Sequence, residues 1–347
     1  MKMKETMMRA LVKSAPGPEG LTLEQVSVPK PAGDQLLVRV RACAICGTDV
    51  HIRRDEYLHY PPVTLGHEFF GDVVEVGAQA AGFAVGDQVT AMTATSTCGQ
   101  CPACKSGYLM RCEQRRSVGS GFNGAMADYI VIPASICYRI PDNHRDQNYM
   151  AVCEPMSCAA HLVFDQCEIR GGDVVVVMGP GALGQAAAQM AKAAGAFVIV
   201  SGVPKDQERL DLAMENGADA CCADPAVLKK LVLKYNPYGA DVVLECSGAV
   251  PALKSAIEIC RRGGQIGQLG LFGRPIEFPM DQLVMKEIRL NVSMGSSHQS
   301  WQRLMTLFAQ NAVHADKLVS AVFPLERWEE AFAMAESGSG YRIVLVP

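Results

Sequence analysis

Val174-Val175-Val176-Val177-Met178-Gly179-Pro180-Gly181-Ala182-Leu183-Gly184 is the stretch on which the reading of the fold turns. Its β-branched run reads as a strand buried on both faces, and residues 179–184 then fit G-x-G-x-x-G where an Ala-rich helical pattern begins. Each glycine has a mechanical reason at its place. Gly179 allows the tight turn, Gly181 lets backbone approach a pyrophosphate, and Gly184 lets the helix pack close to the strand. Ala182 and Leu183 lie on a helix N-terminus that favours an anion. The pattern is weak in isolation, and its surroundings strengthen it. Residues 197–200, 220–222, 242–245, 264–269 and 289–293 read as further strands, with helical patterns in most of the gaps, which predicts a doubly wound parallel sheet.

The same region leaves the choice of dinucleotide open. An acidic residue normally ends the second strand of such a unit and receives the adenosine ribose, but here the strand runs into Ser201-Gly202. Gly202 removes a charge that would repel a 2′-phosphate, and Lys205 and Arg209 are close enough in sequence to meet one. Asp206 and Glu208 are carboxylates within reach of a ribose, so NAD and NADP both fit.

Upstream the character is different. Residues 36–42 alternate as a half-buried strand, and 71–76 and 87–90 continue as short β-like runs between Gly-rich turns, which predicts a β-rich first domain. A helix-like segment, 155–167, leads into the parallel region. Beyond it, 301–310 and 325–336 read as helices, and 341–346 as a final strand free to return to the first domain.

Within the β-rich part, Cys98, Cys101, Cys104 and Cys112 are spaced C-x2-C-x2-C-x7-C, with Gly99, Pro102 and Gly107 to turn the chain. Four thiolates close a tetrahedral zinc site with no open position, which makes it structural; iron–sulfur ligation is the competing chemistry. A second constellation is more open. Cys46-Gly47-Thr48-Asp49-Val50-His51 and Gly66-His67-Glu68 place a thiolate, an imidazole and a carboxylate within reach of one metal, and Glu154 offers another carboxylate. Three protein ligands and a vacant fourth position let zinc act on a substrate oxygen. Cys46 or His67 alone would read as an ordinary packed residue.

Length and charge narrow the field. A chain of 347 residues suggests two domains, and Lys+Arg 32 against Asp+Glu 36 leaves a net charge of -4, which speaks against nucleic acid or an anionic membrane as partner. Residues 1–11 carry Lys2, Lys4 and Arg9, with apolar stretches too short for a signal-peptide core. The most apolar region, 174–200, is interrupted by Pro180, glycines, Gln185, Gln189 and Lys192, unlike a membrane span. The expectation is a cytoplasmic chain whose 14 cysteines serve as metal ligands or buried small residues rather than disulfides; Cys153 and Cys158 belong to the buried group.

Taken in order, Cys46 to His51, Gly66-His67-Glu68, the four-cysteine lobe, Glu154-Pro155 and residues 179–184 resemble the zinc-containing medium-chain alcohol dehydrogenase superfamily over essentially the whole chain. Glu154-Pro155, at a position where simple alcohol dehydrogenases carry cysteine, resembles the sorbitol (polyol) dehydrogenase branch, which also holds threonine and sugar-acid dehydrogenases. The resemblance implies a GroES-like catalytic domain from residues 1–153 and 296–347, with its structural zinc lobe at about 95–115. It implies a Rossmann domain over 154–295 and a substrate cleft between the two. Two zinc ions per subunit, NAD or NADP, and a homodimer or homotetramer follow in the same way. Cys46 and His67 are implied as catalytic zinc ligands, with Glu68 and Glu154 sharing or exchanging the remaining position. Thr48 is implied as the hydroxyl that accepts the substrate proton, His51 as the base that passes it on through the cofactor ribose, and Arg342 as a basic residue that meets the pyrophosphate. The activity implied is hydride transfer from a secondary alcohol (a polyol, sugar alcohol or sugar acid) to NAD(P), giving a ketone. Threonine 3-dehydrogenase-like or simple secondary-alcohol chemistry is the alternative.

The chain departs from the polyol pattern at Met294-Gly295-Ser296-Ser297-His298, where an arginine for substrate hydroxyls is expected. Arg53 and Arg54 are candidates to meet a substrate carboxylate or phosphate, although adjacent arginines are usually a solvated face, and His298 is a candidate wall residue. Two rival classes remain. A zinc-dependent nucleic-acid-binding protein conflicts with the charge and the parallel sheet, and a zinc-free reductase would lack the Cys46, His67, Glu68 and Glu154 set.

Overall fold

The computed structural model describes residues 6–338 and 340–347, so the expectation resting on Lys2 and Lys4 lies outside the described residues. The chain forms two compact units, Met1–Glu154 with Ala315–Pro347 and, inserted between them in sequence, Pro155–His314.

Unit 1 begins with β1 (Met7–Lys13), β2 (Leu21–Ser27), β3 (Gln35–Ala44), α1 (Gly47–Arg53), β4 (Val63–Thr64), β5 (Glu68–Val76) and β6 (Gln88–Ala91). It continues with β7 (Ala94–Ser96), α2 (Pro102–Lys105), β8 (Arg116–Ser117), β9 (Tyr129–Pro133) and β10 (Cys137–Arg139). The chain then enters unit 2 along α3 (Cys153–Ala160), followed by β11 (Val174–Met178), α4 (Ala182–Ala193), β12 (Phe197–Ser201), α5 (Gln207–Glu215), β13 (Ala220–Cys222) and α6 (Pro225–Tyr235). Next come β14 (Ala240–Glu245), α7 (Val250–Ile259), β15 (Cys260–Gln268), α8 (Met280–Lys286), β16 (Arg289–Val292) and α9 (His298–Ala309). Unit 1 is completed by β17 (Val319–Pro324), α10 (Trp328–Glu336) and β18 (Arg342–Val346).

The main sheet of unit 1 runs β10-β6-β5-β3-β18-β17, with β9 also paired to β3. Strand β3 is central because it is buried along most of its length, and its last residues Cys43 and Ala44 are fully covered. That extends the strand beyond the predicted 36–42. Its register positions the site: Ala44 stands opposite Glu68 of β5 on one side and Val344 of β18 on the other. The final strand thus returns to the first unit, as its apolar run allows.

In unit 2 the six parallel strands follow the order β13-β12-β11-β14-β15-β16. All five residues of β11 are buried, which is what a strand covered by helices on both faces requires. Val176, Ile199, Val243 and Ile266 form the centre of a core closed by Leu228, Leu253 and Ile257. Strand order reverses between β11 and β14, so the loop after β11 opens at the place where such sheets bind ligands.

Two expectations shift. The 155–167 helix is α3 followed by a π-helical turn, His161–Gln166. The domain boundary expected at 295/296, before α9, falls instead at 314/315, after it, because α9 is anchored in unit 2. Ser297 caps the helix through Ser300 N–H, and its hydroxyl donates to Asp165 Oδ2 at 2.5 Å. Arg303 donates to Asp165 Oδ1 at 2.9 Å, and Trp301, Leu304 and Phe308 are fully buried.

Candidate active site

Strand β3 ends at Ala44 and delivers Cys46 to the N-cap of α1, while β5 starts at Glu68 directly after His67. Asp49 locks the two loops together. Its Oδ2 accepts the Cys46 N–H at 2.9 Å, its Oδ1 accepts the Gly66 N–H at 3.1 Å, and Oδ1 faces His67 Nδ1 at 3.7 Å. Gly66 is forced: its φ is +93°, and a Cβ would lie 2.6 Å from the Cys43 sulfur. One ligand atom each from Cys46, His67 and Glu68 then lies within 4.8 Å of the others. Burial lowers the basicity of His67, but the charges of Asp49 and the Cys46 sulfur outweigh it and hold the imidazole well above its ordinary value. A divalent ion would supply the positive charge that the proton otherwise brings.

The two glutamates divide. Glu68 is fully buried; its Oε2 accepts the Arg342 Nε–H at 2.9 Å, and its Oε1 has no hydrogen-bond partner among the described residues. An orphaned carboxylate oxygen beside a thiolate and an imidazole fits a cation. Glu154 is also buried, but its carboxylate is not part of the three-residue group. It lies close enough to Arg342 to raise that guanidinium's basicity, after Glu68 and Cys46, against the opposing effect of burial. The Arg342 Nε is engaged by Glu68 inside unit 1, a second role beside the one expected for its guanidinium.

Thr48 is half-buried with its hydroxyl 3.7 Å from the Cys46 sulfur, in reach of anything bound there. His51 is exposed, and its Nδ1 pairs with Glu56 Oε2 at 2.7 Å. The four-cysteine lobe closes as expected. Cys101 and Cys104 sulfurs are 3.5 Å apart and those of Cys98 and Cys104 3.9 Å apart. A tetrahedral ion with bonds of about 2.3 Å separates its sulfurs by about 3.8 Å, so the cage fits. Backbone N–H groups of Gln100 and Cys101 bring the Cys98 thiol down to about 6, the thiolate form a metal needs.

In unit 2 the glycine loop carries out its mechanical roles. Gly179 has φ +94° and sits against Ser247, where a Cβ would lie 2.7 Å from the serine Cβ; at Gly184 a Cβ would lie 1.8 Å from the Gly179 carbonyl oxygen. Gly181, the N-cap of α4, faces open space, and no acidic residue occupies the first turn of that helix, with Ala182 and Leu183 half-buried there. The helix N-terminus is therefore free for an anion. At the end of β12, Asp206 folds back toward Gly202, its Oδ2 3.1 Å from where a Cβ would sit, and accepts the Val203 N–H at 3.0 Å. Arg209 lies 3.9 Å from the same carboxylate.

Two domain families match the chain: the alcohol dehydrogenase GroES-like domain over residues 32–142 and the zinc-binding dehydrogenase domain over 182–310. Over 343 residues the chain is 38% identical to a sorbitol dehydrogenase of Halalkalibacterium halodurans, covering 98% of this chain and 99% of the relative. It is 34% identical to a D-arabitol-phosphate dehydrogenase of Enterococcus avium, covering 97% of each. The structure of a zinc-binding dehydrogenase from Sinorhizobium meliloti, solved with NADP, superimposes with a TM-score of 0.89 at 31% identity, over 99% of this chain and 100% of the other. The chain belongs to the zinc-binding alcohol dehydrogenases.

In this dehydrogenase the substrate candidates fare differently from the metal ligands. Arg53 and Arg54 both pair with Glu336, at 3.1 and 3.2 Å, and Arg53 lies over the Trp328 and Phe332 rings, so the pair fastens α1 to α10. Residues 294–298 build structure instead of supplying an arginine: Ser296 accepts the Trp301 indole N–H at 3.0 Å, and Ser297 caps α9. His298 opens that helix, half-buried, with its basicity lowered by burial. Cys153 is buried as expected, whereas Cys158 is half-buried.

Two organising carboxylates of the dehydrogenase escaped the reading of its sequence. Asp49 was in view only as part of a motif; its place three residues after an N-cap is the signal of a capping box. Glu245, fully buried at the end of β14, accepts the Ser247 N–H at 2.8 Å and the Gln268 side-chain N–H at 2.6 Å. It thereby holds Ser247 against Gly179, and only the strand order reveals that proximity. Among the described residues no helix is long and apolar enough to cross a membrane.

Proposed function

We propose that the chain is a zinc-dependent oxidoreductase that takes a hydride from a secondary alcohol of the polyol, sugar-alcohol or sugar-acid type and gives it to NAD or NADP, leaving a ketone. The observation that carries this reading is the three-residue group of Cys46, His67 and Glu68, with a buried carboxylate oxygen that has no hydrogen-bond partner among the described residues. The sorbitol and arabitol-phosphate dehydrogenases among its relatives support the polyol class over the threonine and simple-alcohol alternative.

When bound, zinc supplies a Lewis acid that acidifies a substrate hydroxyl, and nicotinamide supplies the hydride acceptor. The residues of the chain do the rest. Cys46, His67 and Glu68 hold the metal, and Asp49 orients both loops and faces His67 Nδ1. Thr48 Oγ1 takes the hydrogen bond of the substrate hydroxyl, and the exposed His51, steadied by Glu56, exchanges that proton with solvent. Glu154 is the carboxylate held in reserve near Arg342. Cys98, Cys101, Cys104 and Cys112 hold the second zinc. Gly179, Gly181 and Gly184 with the α4 N-terminus receive the pyrophosphate, and Gly202, Lys205 and Arg209 border the adenosine ribose.

The same reading makes the protein a cytoplasmic homodimer or homotetramer without nucleic-acid or membrane partners. The net charge of -4 supports the last point, and the exposed Leu290 and Val292 on the sheet-edge strand β16 support self-association. A matrix of NAD and NADP against polyols, sugar acids, threonine and simple secondary alcohols, read as reduced nicotinamide, tests the activity, and metal analysis tests the two zinc sites. Turnover of none of these alcohols by protein holding two zinc ions per chain would refute the proposal. A single zinc per chain would favour a non-catalytic or reductase-type relative without zinc at the Cys46 centre.

A further inference from the structure

The loop stitched to the residues just before His67 begins with an arginine whose charge no carboxylate answers among the described residues. Residues 123–125 are stitched to the ligand loop: Asn123 Oδ1 accepts the Thr64 N–H at 3.0 Å, and the N–H groups of Gly124 and Ala125 donate to Thr64 and Gly66 carbonyls at 2.8 and 2.9 Å. Just before them, Gly119 packs on the Gly66 backbone, where a Cβ would lie 3.0 Å from the Gly66 nitrogen. Gly121 packs on Arg116, a Cβ there falling 3.0 Å from the arginine Cβ. The turn from 116 to 121 is therefore folded both on itself and on the residue next to His67.

Arg116 lies over Tyr60, with its guanidinium carbon 3.5 Å from the ring centroid, and the Tyr60 N–H is fixed by the Ser120 carbonyl at 2.9 Å. Among the described residues the guanidinium has no carboxylate partner and no side-chain hydrogen bond. The acids of the facing loop are already engaged: Asp55 pairs with Lys13 at 2.9 Å, and Glu56 with His51 at 2.7 Å. Tyr60 beneath it is exposed, as are Tyr57 and Leu58 on the same loop and Phe122 after Gly121. A guanidinium stacked on an aromatic ring is held in one plane with its N–H edge outward, the geometry that grips an oxyanion with two parallel hydrogen bonds.

We infer that Arg116, seated on Tyr60, is an anion-recognising end of the substrate site, and that the preferred alcohol carries an oxyanion, a phosphate monoester or a carboxylate, on its chain beyond the carbinol. The inference rests on the reading of Cys46, His67 and Glu68 as the catalytic centre. Arg116 acts in recognition and takes no part in the hydride step.

The test compares matched pentitols and hexitols, their terminal phosphate monoesters and the corresponding sugar acids as substrates of the zinc-loaded enzyme. It is run on the wild type, Arg116→Gln and Arg116→Lys, with calorimetric binding of the same compounds beside it. The wild type is expected to favour one anionic series over the neutral one by at least about tenfold in kcat/KM. Arg116→Gln should cut that ratio at least about tenfold, chiefly through KM, and Arg116→Lys should keep part of it, because the charge survives while the fork is lost. Which series wins identifies the oxyanion. Equal treatment of neutral and anionic alcohols by the wild type, or a ratio that Arg116→Gln leaves unchanged, would overturn the inference. If no alcohol reduces the dinucleotide yet a polyol phosphate or sugar acid binds in an Arg116-dependent way, the subsite stands and the dehydrogenase reading falls. Absence of both turnover and Arg116-dependent binding removes the subsite as well.

Discussion

Replacing Arg342 by Met isolates the buried ion pair under the metal centre. The Arg342 Nε meets Glu68 Oε2 at 2.9 Å, the Glu68 side chain is completely covered, and that of Arg342 is 16% exposed. Glu68 Oε1 already lacks a partner, so Arg342→Met leaves a carboxylate with neither oxygen satisfied. Breaking one side of a buried pair typically costs about 3–5 kcal/mol, most of it the penalty of the charge left behind. Metal-free Arg342→Met should therefore be less stable by about that amount, whereas Arg342→Met with Glu68→Gln should recover about 2 kcal/mol or more, because no uncompensated charge remains. Loading zinc should recover part of the loss in the single variant, since an ion at Glu68 Oε1 replaces the missing positive charge. The assay is urea denaturation followed by tryptophan emission in a Trp301→Phe background, which leaves Trp328 as the one tryptophan and reports on unit 1. A loss below about 1 kcal/mol, or a double variant no better than Arg342→Met alone, would refute the account of Glu68 as a buried charge shared between arginine and metal.

Cys101→Ser opens the four-sulfur cage, so metal analysis should lose one zinc per chain while the Cys46 centre keeps its own, and limited proteolysis should begin within about residues 95–115. Asp165→Asn weakens bonds from His161, Ser297 and Arg303 to a side chain only 3% exposed, and denaturation should show a loss of about 1.5–3 kcal/mol. Burial raises the Asp165 carboxyl, but those three partners prevail and hold it below its ordinary value. Its contribution is thus fully present above the unfolded value of about 3.9 and is lost as pH falls through the lowered one, so the acid limb of the stability profile should flatten in Asp165→Asn. Asp206→Ser removes the carboxylate beside Gly202 and should shift the NADP-to-NAD ratio of kcat/KM toward NADP by about tenfold; an unchanged ratio would place discrimination elsewhere.

Much of unit 2 was legible because each of its signals is local. Val174–Met178 is a run buried on both faces, Gly184 must be glycine for reasons carried within six residues, and the alternation of strands and helices leaves few topologies. The four-cysteine lobe is local in the same sense, with every ligand inside one short loop. The domain boundary was not legible. Nothing near residue 295 announces that α9 stays with unit 2; the reason is Asp165, more than a hundred residues upstream, which collects Ser297 and Arg303. A serine pair read as a missing substrate arginine proved to be a cap and an indole acceptor, roles that depend on what packs across from them.

The division of labour between Glu68 and Glu154 shows why site chemistry lags behind fold in such a reading. Both are carboxylates near a thiolate in the sequence pattern, and residue type gives no ground for choosing. Register is what favours Glu68 in the proposed reading. Because Ala44 pairs with Glu68 on one side and Val344 on the other, the side chains of Glu68 and Arg342 meet across β3. The same pairing that gives Glu68 a cation on one oxygen leaves its other oxygen without a hydrogen-bond partner among the described residues, which is what the proposed metal role needs. A one-residue slip of β18 would send Arg342 to the opposite face of the sheet and strand Glu68 without a partner. The last strand of the chain therefore acts on the metal centre through a hydrogen-bonding register, and this is the physical reason the two ends of the sequence belong to one unit.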